Sequence, residues 1–134
     1  MKFQTINPTT EEVIKEYETY DKKRIYEIAE NAKKGFDEWR TLKISERARY
    51  MKIVADVLRK RKSEFAELIT TEMGKPITQS YSEIEKCAWT AEIYADNSEK
   101  WLEDEILNAD GKNHIVTFEP LGVILSIMPW NFPF

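Results

Sequence analysis

Cysteine and histidine are nearly absent, with Cys87 and His114 standing alone among 134 residues. One thiol closes no disulfide within a chain, and one thiol with one imidazole falls short of a structural zinc site. Glycine is almost as scarce, at positions 35, 74, 111 and 122 only. A dinucleotide fingerprint or a P-loop needs two or three glycines within a few residues, so no glycine-rich phosphate cradle is present. Positive charge is not in excess either: Lys plus Arg is 20 against 24 for Asp plus Glu, a net charge of -4. Such a balance offers no electrostatic reason to bind nucleic acid. The longest apolar run, Leu121 to Trp130, is about half of what a membrane span requires. No charged-then-apolar leader opens the chain, so neither membrane nor export is expected and the cytoplasm is the default location.

What is present is an ordinary folded composition, 42% AVILMFWYC and 33% charged. The length is one domain's worth on a prior of roughly 100–200 residues. Asn7-Pro8-Thr9-Thr10 is turn chemistry between two short extended pieces ending near Tyr20. Asp21 is a fitting N-cap for a helix whose face is Ile25, Ile28, Ala29, Ala32, Phe36 and Trp39. Ser45 is the expected cap of the next helix, with Ala48, Met51, Val54, Ala55 and Leu58 inward. The basic run Arg59 to Lys62 reads as a solvated helix end, where cations suit the helix dipole. Ser63 restarts a helix that Gly74 stops, and Pro76 suits the first turn of the one that follows.

That following helix is the strongest pattern in the chain. Ile77, Tyr81, Ile84, Ala88, Ala91, Ala95, Ser98 and Leu102 recur at three- and four-residue steps, and the small residues invite a close neighbour. Asn108 to Gly111 reads as a turn and Ile115 to Phe118 as a strand. Gly122 to Met128 is a near-continuous apolar strand of the kind that fills the buried middle of a parallel sheet. The sequence offers no second strand of that character. The reading is therefore a front piece of a larger α/β protein, ending just after its first core strand.

In open α/β sheets, ligands bind outside the carboxyl ends of the strands, which directs attention to Ile127 through Asn131. The Asn131 amide is a donor suited to a developing oxyanion, and Trp130 offers a wall for a flat ring. The same residues also suit a rigid turn whose Asn caps its own backbone. Cys87 flanks the apolar seam in mid-helix, the setting of a packing residue rather than of an activated thiolate. His114 precedes a strand without an evident partner. Glu72 lies near a helix end, where a neighbouring cation is expected to hold it.

Pro129-Trp130-Asn131-Phe132-Pro133 is similar to the P-W-N-F-P motif of the NAD(P)-dependent aldehyde dehydrogenase superfamily. The likeness runs in order through Asn7-Pro8-Thr9-Thr10-Glu11-Glu12, Phe36-Asp37-Glu38-Trp39, Ser45-Glu46-Arg47, Glu72-Met73-Gly74-Lys75-Pro76-Ile77 and Pro120-Leu121-Gly122-Val123. Glu72 to Ile77 and Ile127 to Trp130 most resemble succinate-semialdehyde dehydrogenases. The resemblance implies an α/β fold, with residues 1–134 as the N-terminal part of a Rossmann-like cofactor-binding domain, mostly helical with a few strands. It also implies the start of an oligomerisation strand at about 112–120, and hence a homo-oligomer at full length.

In that family a Cys thiolate attacks the aldehyde, hydride passes to NAD or NADP, and a Glu activates water to release the acid. Asn131 matches the Asn that stabilises the oxyanion. Ile127, Met128, Pro129 and Trp130 match cofactor-site residues, and Phe132 matches a position beside the substrate tunnel. The nucleophilic Cys, the base Glu and the cofactor-binding glycine segment come later in the family's chain, and Cys87 does not match the nucleophile. This piece alone is therefore expected to be inactive. The rival expectation is a non-catalytic helical interaction module that keeps the segment for partner binding.

Overall fold

Asn7 folds the chain back on itself, its Oδ1 accepting the Thr9 and Thr10 amides at 2.9 and 3.4 Å. This side-chain turn, stiffened by Pro8, joins β1 (Lys2–Ile6) to β2 (Val13–Glu18) in an antiparallel hairpin with Phe3 opposite Tyr17. The computed structural model describes residues 2–134. Asp21 caps α1 (Lys22–Trp39) as expected, accepting the Arg24 amide at 2.7 Å. No residue of α1 is buried. Its end meets the next helix where Trp39 sets its edge against Tyr50, ring centroids 5.0 Å apart.

The second helix, α2 (Ile44–Lys60), starts earlier than Ser45 allows, with Lys43 at the cap position. The Glu46 carboxylate accepts the Lys43 amide at 2.9 Å. A glutamate in the first turn thus satisfies the free N–H and suits the positive helix end, and the serine is not needed. A break at Arg61 separates α2 from α3 (Lys62–Met73). Gly74 ends α3 at φ 79°, and a Cβ there would come within 3.0 Å of Pro8 Cγ. The glycine is therefore required twice, for the left-handed backbone and for the approach of the first hairpin's turn.

The fourth helix, α4 (Ile77–Trp101), packs along α2 and α3. The middle of the expected seam is there, Ala88 and Ala91 being buried against Ala55 of α2 with Leu58 beside them, whereas Ile77 and Leu102 at its ends and Met51 and Val54 of the α2 face are exposed. Ile84 is fully buried, worth about 1.5–3 kcal/mol for a side chain of its size. The Thr70 and Ser80 hydroxyls, 3.0 Å apart, join α3 to α4.

Lys60 and Arg61 are exposed, as a solvated helix end requires, but Arg59 and Lys62 turn toward α4. Arg59 donates to Glu85 at 2.8 Å and forks onto both Glu92 oxygens, while Lys62 reaches Glu85 at 2.9 Å. A seam of alanines brings the helices close enough for these cations to staple α2 and α3 to α4. The Arg59 guanidinium holds the Glu92 and Glu85 carboxyls below the usual carboxylate range, with Lys62 adding to the effect on Glu85.

The chain then forms a second antiparallel hairpin, β3 (Glu105–Ala109) with β4 (Lys112–Val116). Its turn is only Asp110 and Gly111, at φ 51° and 71°. Two left-handed residues in succession match the twist of a two-residue hairpin, so Asn108 and Ala109 belong to a strand rather than to the expected turn. The strand expected over Ile115 to Phe118 begins and ends earlier, as β4. Beyond it, the run Gly122 to Met128 forms no strand, and residues 123–128 lie exposed. A parallel strand takes its hydrogen bonds from neighbours on both sides, and the described residues supply only the two antiparallel hairpins.

Candidate functional site

The chain ends in a turn docked onto the junction of α3 and α4. Phe132 N–H donates to the Pro129 carbonyl at 3.2 Å. Lys75, confined between the Gly74 stop and the Pro76 start, donates from Nζ to the Asn131 backbone oxygen at 2.9 Å. The same ammonium pairs with Glu83, two turns into α4, and its Nζ lies 4.0 Å from the Phe132 ring centroid. Glu83 Oε1 accepts the Phe134 N–H at 3.2 Å. The Phe134 ring rests on Phe65 of α3, centroids 5.2 Å apart.

With the turn held by these groups, the Asn131 side chain makes no hydrogen bond to the described residues. It does not cap its own backbone, so one of the two arrangements left open by the sequence is not the one adopted. Its amide NH₂ is exposed and unspent. Ile127, Met128 and Trp130 present bare apolar faces immediately before it.

The turn stands between two cavities. The larger, about 640 Å³, lies between α2 and α4, lined by Met51, Val54, Cys87, Ala91, Phe132 and Phe134 among others. The smaller, about 210 Å³, is lined by Leu68, Ile69, Glu72, Met73, Trp130, Pro133 and Phe134. Cys87 is partly buried on the wall of the larger. Burial pushes its thiol above the ordinary value, and the neighbouring Glu83 pushes it the same way. A thiolate is disfavoured there, the reverse of what a nucleophile needs.

His114 lies exposed on β4 opposite Leu107, remote in sequence and element from the turn. No cation pairs with Glu72 among the described residues; it lines the smaller cavity beside Trp130. Lys75 and Glu83 are the residues that sequence reasoning passed over. Both left a signal: Lys75 is trapped between a helix stop and a helix start, and Glu83 shares the inward face with Ser80 and Ile84. Among the described residues no cluster of three metal-binding side chains occurs, and no helix is long and apolar enough to cross a membrane.

A profile of the aldehyde dehydrogenase family matches residues 1–134. A probable succinate-semialdehyde dehydrogenase (NADP(+)) of Synechocystis sp. is 37% identical over 134 residues, covering 100% of this chain and 30% of the relative. The succinic semialdehyde dehydrogenase of Streptococcus pyogenes, solved with NADP+, superposes with TM-score 0.91 at 32% identity, over 98% of this chain and 29% of that one. The lactaldehyde dehydrogenase of Escherichia coli superposes with TM-score 0.90 at 29% identity, over 100% and 28%. The chain thus spans about 30% of the length of the curated relatives it matches. The mostly helical piece with few strands is the N-terminal region of that α/β, partly Rossmann-like architecture.

Proposed function

The chain belongs to the aldehyde dehydrogenase family, and from that premise we propose that it serves as the N-terminal part of the cofactor-binding domain of a longer, cytoplasmic, homo-oligomeric enzyme. That enzyme oxidises an aldehyde, succinate semialdehyde, to the carboxylic acid with NAD or NADP. The observation that carries the reading is the free Asn131 amide, held on a fixed turn whose neighbouring residues Phe132 and Trp130 each line a cavity. Its N–H donors are unspent, so they meet the substrate oxygen at the moment negative charge develops there. Phe132, on the cavity wall, borders the aldehyde's path.

Exposed apolar faces at Ile127, Met128 and Trp130, with Pro129 stiffening the bend, fit the flat ring of a nicotinamide. The cofactor, when bound, accepts the hydride; these side chains give it a surface and exclude water. The nucleophilic thiolate, the base and the segment that holds the pyrophosphate lie outside residues 1–134. Cys87, with its raised thiol, does not substitute for the first. Succinate semialdehyde and NADP are favoured because the Synechocystis and Streptococcus relatives carry both in their names. Residues 112–120, exposed throughout, are assigned to the start of the oligomerisation strand.

A second reading is favoured by one feature, the exposed row Leu121, Leu125 and Ile127, which suits a helical module that binds a partner. The experiment separating them is an assay for reduced cofactor with succinate semialdehyde and NADP or NAD. The 134-residue chain alone is expected to give no turnover, and the full-length polypeptide to turn over. Turnover by the chain alone, or none by the full-length polypeptide with any aldehyde, overturns the proposal.

A further inference from the structure

Lys75 and Glu83 have side chains only 7% and 3% exposed, whereas in every other ion pair among the described residues both side chains are at least 32% exposed. Stability alone does not call for such a pair. Taking two charges out of water is expensive, and a well-packed apolar pair of similar volume is often as stable or more so. The reason lies in what the two groups do with the bonding capacity they do not give each other. An ammonium has three N–H donors. One meets Glu83, one meets the Asn131 carbonyl at 2.9 Å, and Phe132 offers its ring at 4.0 Å. The second Glu83 oxygen takes the Phe134 N–H at 3.2 Å.

All of that residual capacity falls on residues 131–134. The peptide plane between Asn131 and Phe132 is consequently held from both sides, its carbonyl by Lys75 and its N–H by the Pro129 oxygen. Fixing that plane constrains ψ at Asn131 and with it the direction of the Asn131 Cα–Cβ bond. The stretch before the turn, from Gly122 to Met128, has no ladder that does this.

We propose that Lys75 and Glu83 are positioning residues, a buried two-point clamp that aims the Asn131 amide at the substrate oxygen. The inference rests on the reading of Asn131 as an oxyanion donor; neither charged group touches substrate. A donor must sit within about an ångström of its working place, because misplacement on that scale costs about 10²-fold in rate.

The test uses the full-length enzyme carrying Lys75→Met with Glu83→Gln. This removes both charges together, keeps the volume, and leaves Gln an oxygen for the Phe134 N–H. Amide exchange over residues 129–134 is expected to quicken about tenfold, as for one lost charge-assisted hydrogen bond, with exchange in α2 and α4 unchanged. The kcat is expected to fall about 10²-fold, with KM for aldehyde and cofactor within about threefold. Adding Asn131→Ala should then bring the loss only to that of Asn131→Ala alone, because residues acting through one group are not additive. Full multiplication of the two losses, or unchanged exchange in 129–134, overturns the clamp.

If the double variant does not fold, Glu83→Gln alone carries the same exchange measurement with the same expected direction. A normal kcat for Asn131→Ala alone sinks the oxyanion reading, and the aiming role with it, even where exchange quickens. Unchanged exchange beside a crippled Asn131→Ala sinks only the clamp.

Discussion

Ala88, Ala91 and Ala95 on α4 are 0%, 5% and 8% exposed, whereas Leu121, Leu125 and Ile127 in the final stretch are 94%, 86% and 87% exposed. Side-chain hydrophobicity would order them the other way, since a buried leucine gains far more than a buried alanine. What separates the two regions is the location of their partners. The seam of α4 meets α2, whose Ala55 lies 33 residues before Ala88 along the chain. A central parallel strand needs neighbours that arrive only after crossover connections of about a dozen residues or more. The alanine seam therefore finds its cover within the described residues, whereas the final stretch, like the apolar side chains of α1, presents a face that these residues do not cover. The turn at Pro129 to Phe134 is where the two regimes meet, clamped to the body while carrying the polar group of the site.

The sharpest way to break this contrast is to remove the one group assigned to chemistry and show that stability is untouched. Asn131→Ala in the full-length enzyme is expected to lower kcat by about 10²–10³, the usual loss for one oxyanion donor. Melting temperature should stay near the parent's, because the amide makes no hydrogen bond to the described residues. Asn131→Asp should be at least as damaging, since it sets a carboxylate against the developing charge. A folded Asn131→Ala enzyme with near-normal kcat would return the residue to a structural role.

The opposite substitution tests the body. Ala88 is completely buried against Ala55 and Ala91. Ala88→Leu must push α2 away from α4 or force poor rotamers, at about 1–3 kcal/mol. Urea unfolding followed by circular dichroism should show a lower midpoint with little change in slope. An unchanged midpoint would mean the seam is loosely packed, and the contrast with the exposed stretch would lose one side.

The seam was legible in sequence because small apolar side chains spaced three and four residues apart fall on one face of a helix and on no single face of a strand. Asp21, Gly74 and Pro76 marked helix ends by their own chemistry. Ser45 misled because a glutamate one position on completes the cap instead. The hairpin strand Glu105–Ala109 escaped notice because every one of its side chains is exposed, leaving no alternation to detect. Of the site, the motif around Asn131 was readable as local sequence. The clamp was not, because Lys75 and Asn131 are 56 residues apart and only folding brings them within 2.9 Å. The basic run was likewise judged without the Glu85 and Glu92 that α4 sets against it.

Those glutamates give a smaller effect with a definite sign. Their carboxyls titrate below the ordinary range when folded, chiefly through Arg59. A depressed folded value stabilises above the unfolded pKa, about 4.3 for Glu, and this contribution is lost as pH falls through the folded values. Acid should therefore weaken the ion pairs between α2 and α4 while leaving the alanine packing between the same helices intact. Arg59→Leu is expected to lower stability modestly near neutrality and to flatten the curve below pH 5, so that parent and variant converge in acid. Equal acid sensitivity in parent and variant would show that the staple adds nothing, as many exposed pairs do.

The smallest expected effect belongs to the exposed stretch, and it is informative for being small in one setting only. In the 134-residue chain Leu125 is 86% exposed and has no ladder around it. Leu125→Ser there should change unfolding free energy by no more than about 0.5 kcal/mol, the range for surface substitutions. In the full-length polypeptide the same residue sits in a strand that the proposal buries within a sheet. The cost should then rise to about 2–5 kcal/mol, as for other large-to-small changes in a core. One substitution measured by chemical denaturation in both chains thus asks whether the partners of this strand lie beyond residue 134. A large loss in the short chain would mean that the stretch is already packed. A negligible loss in both would mean that it is never covered, and the interaction-module reading would then account for it better than the enzyme does.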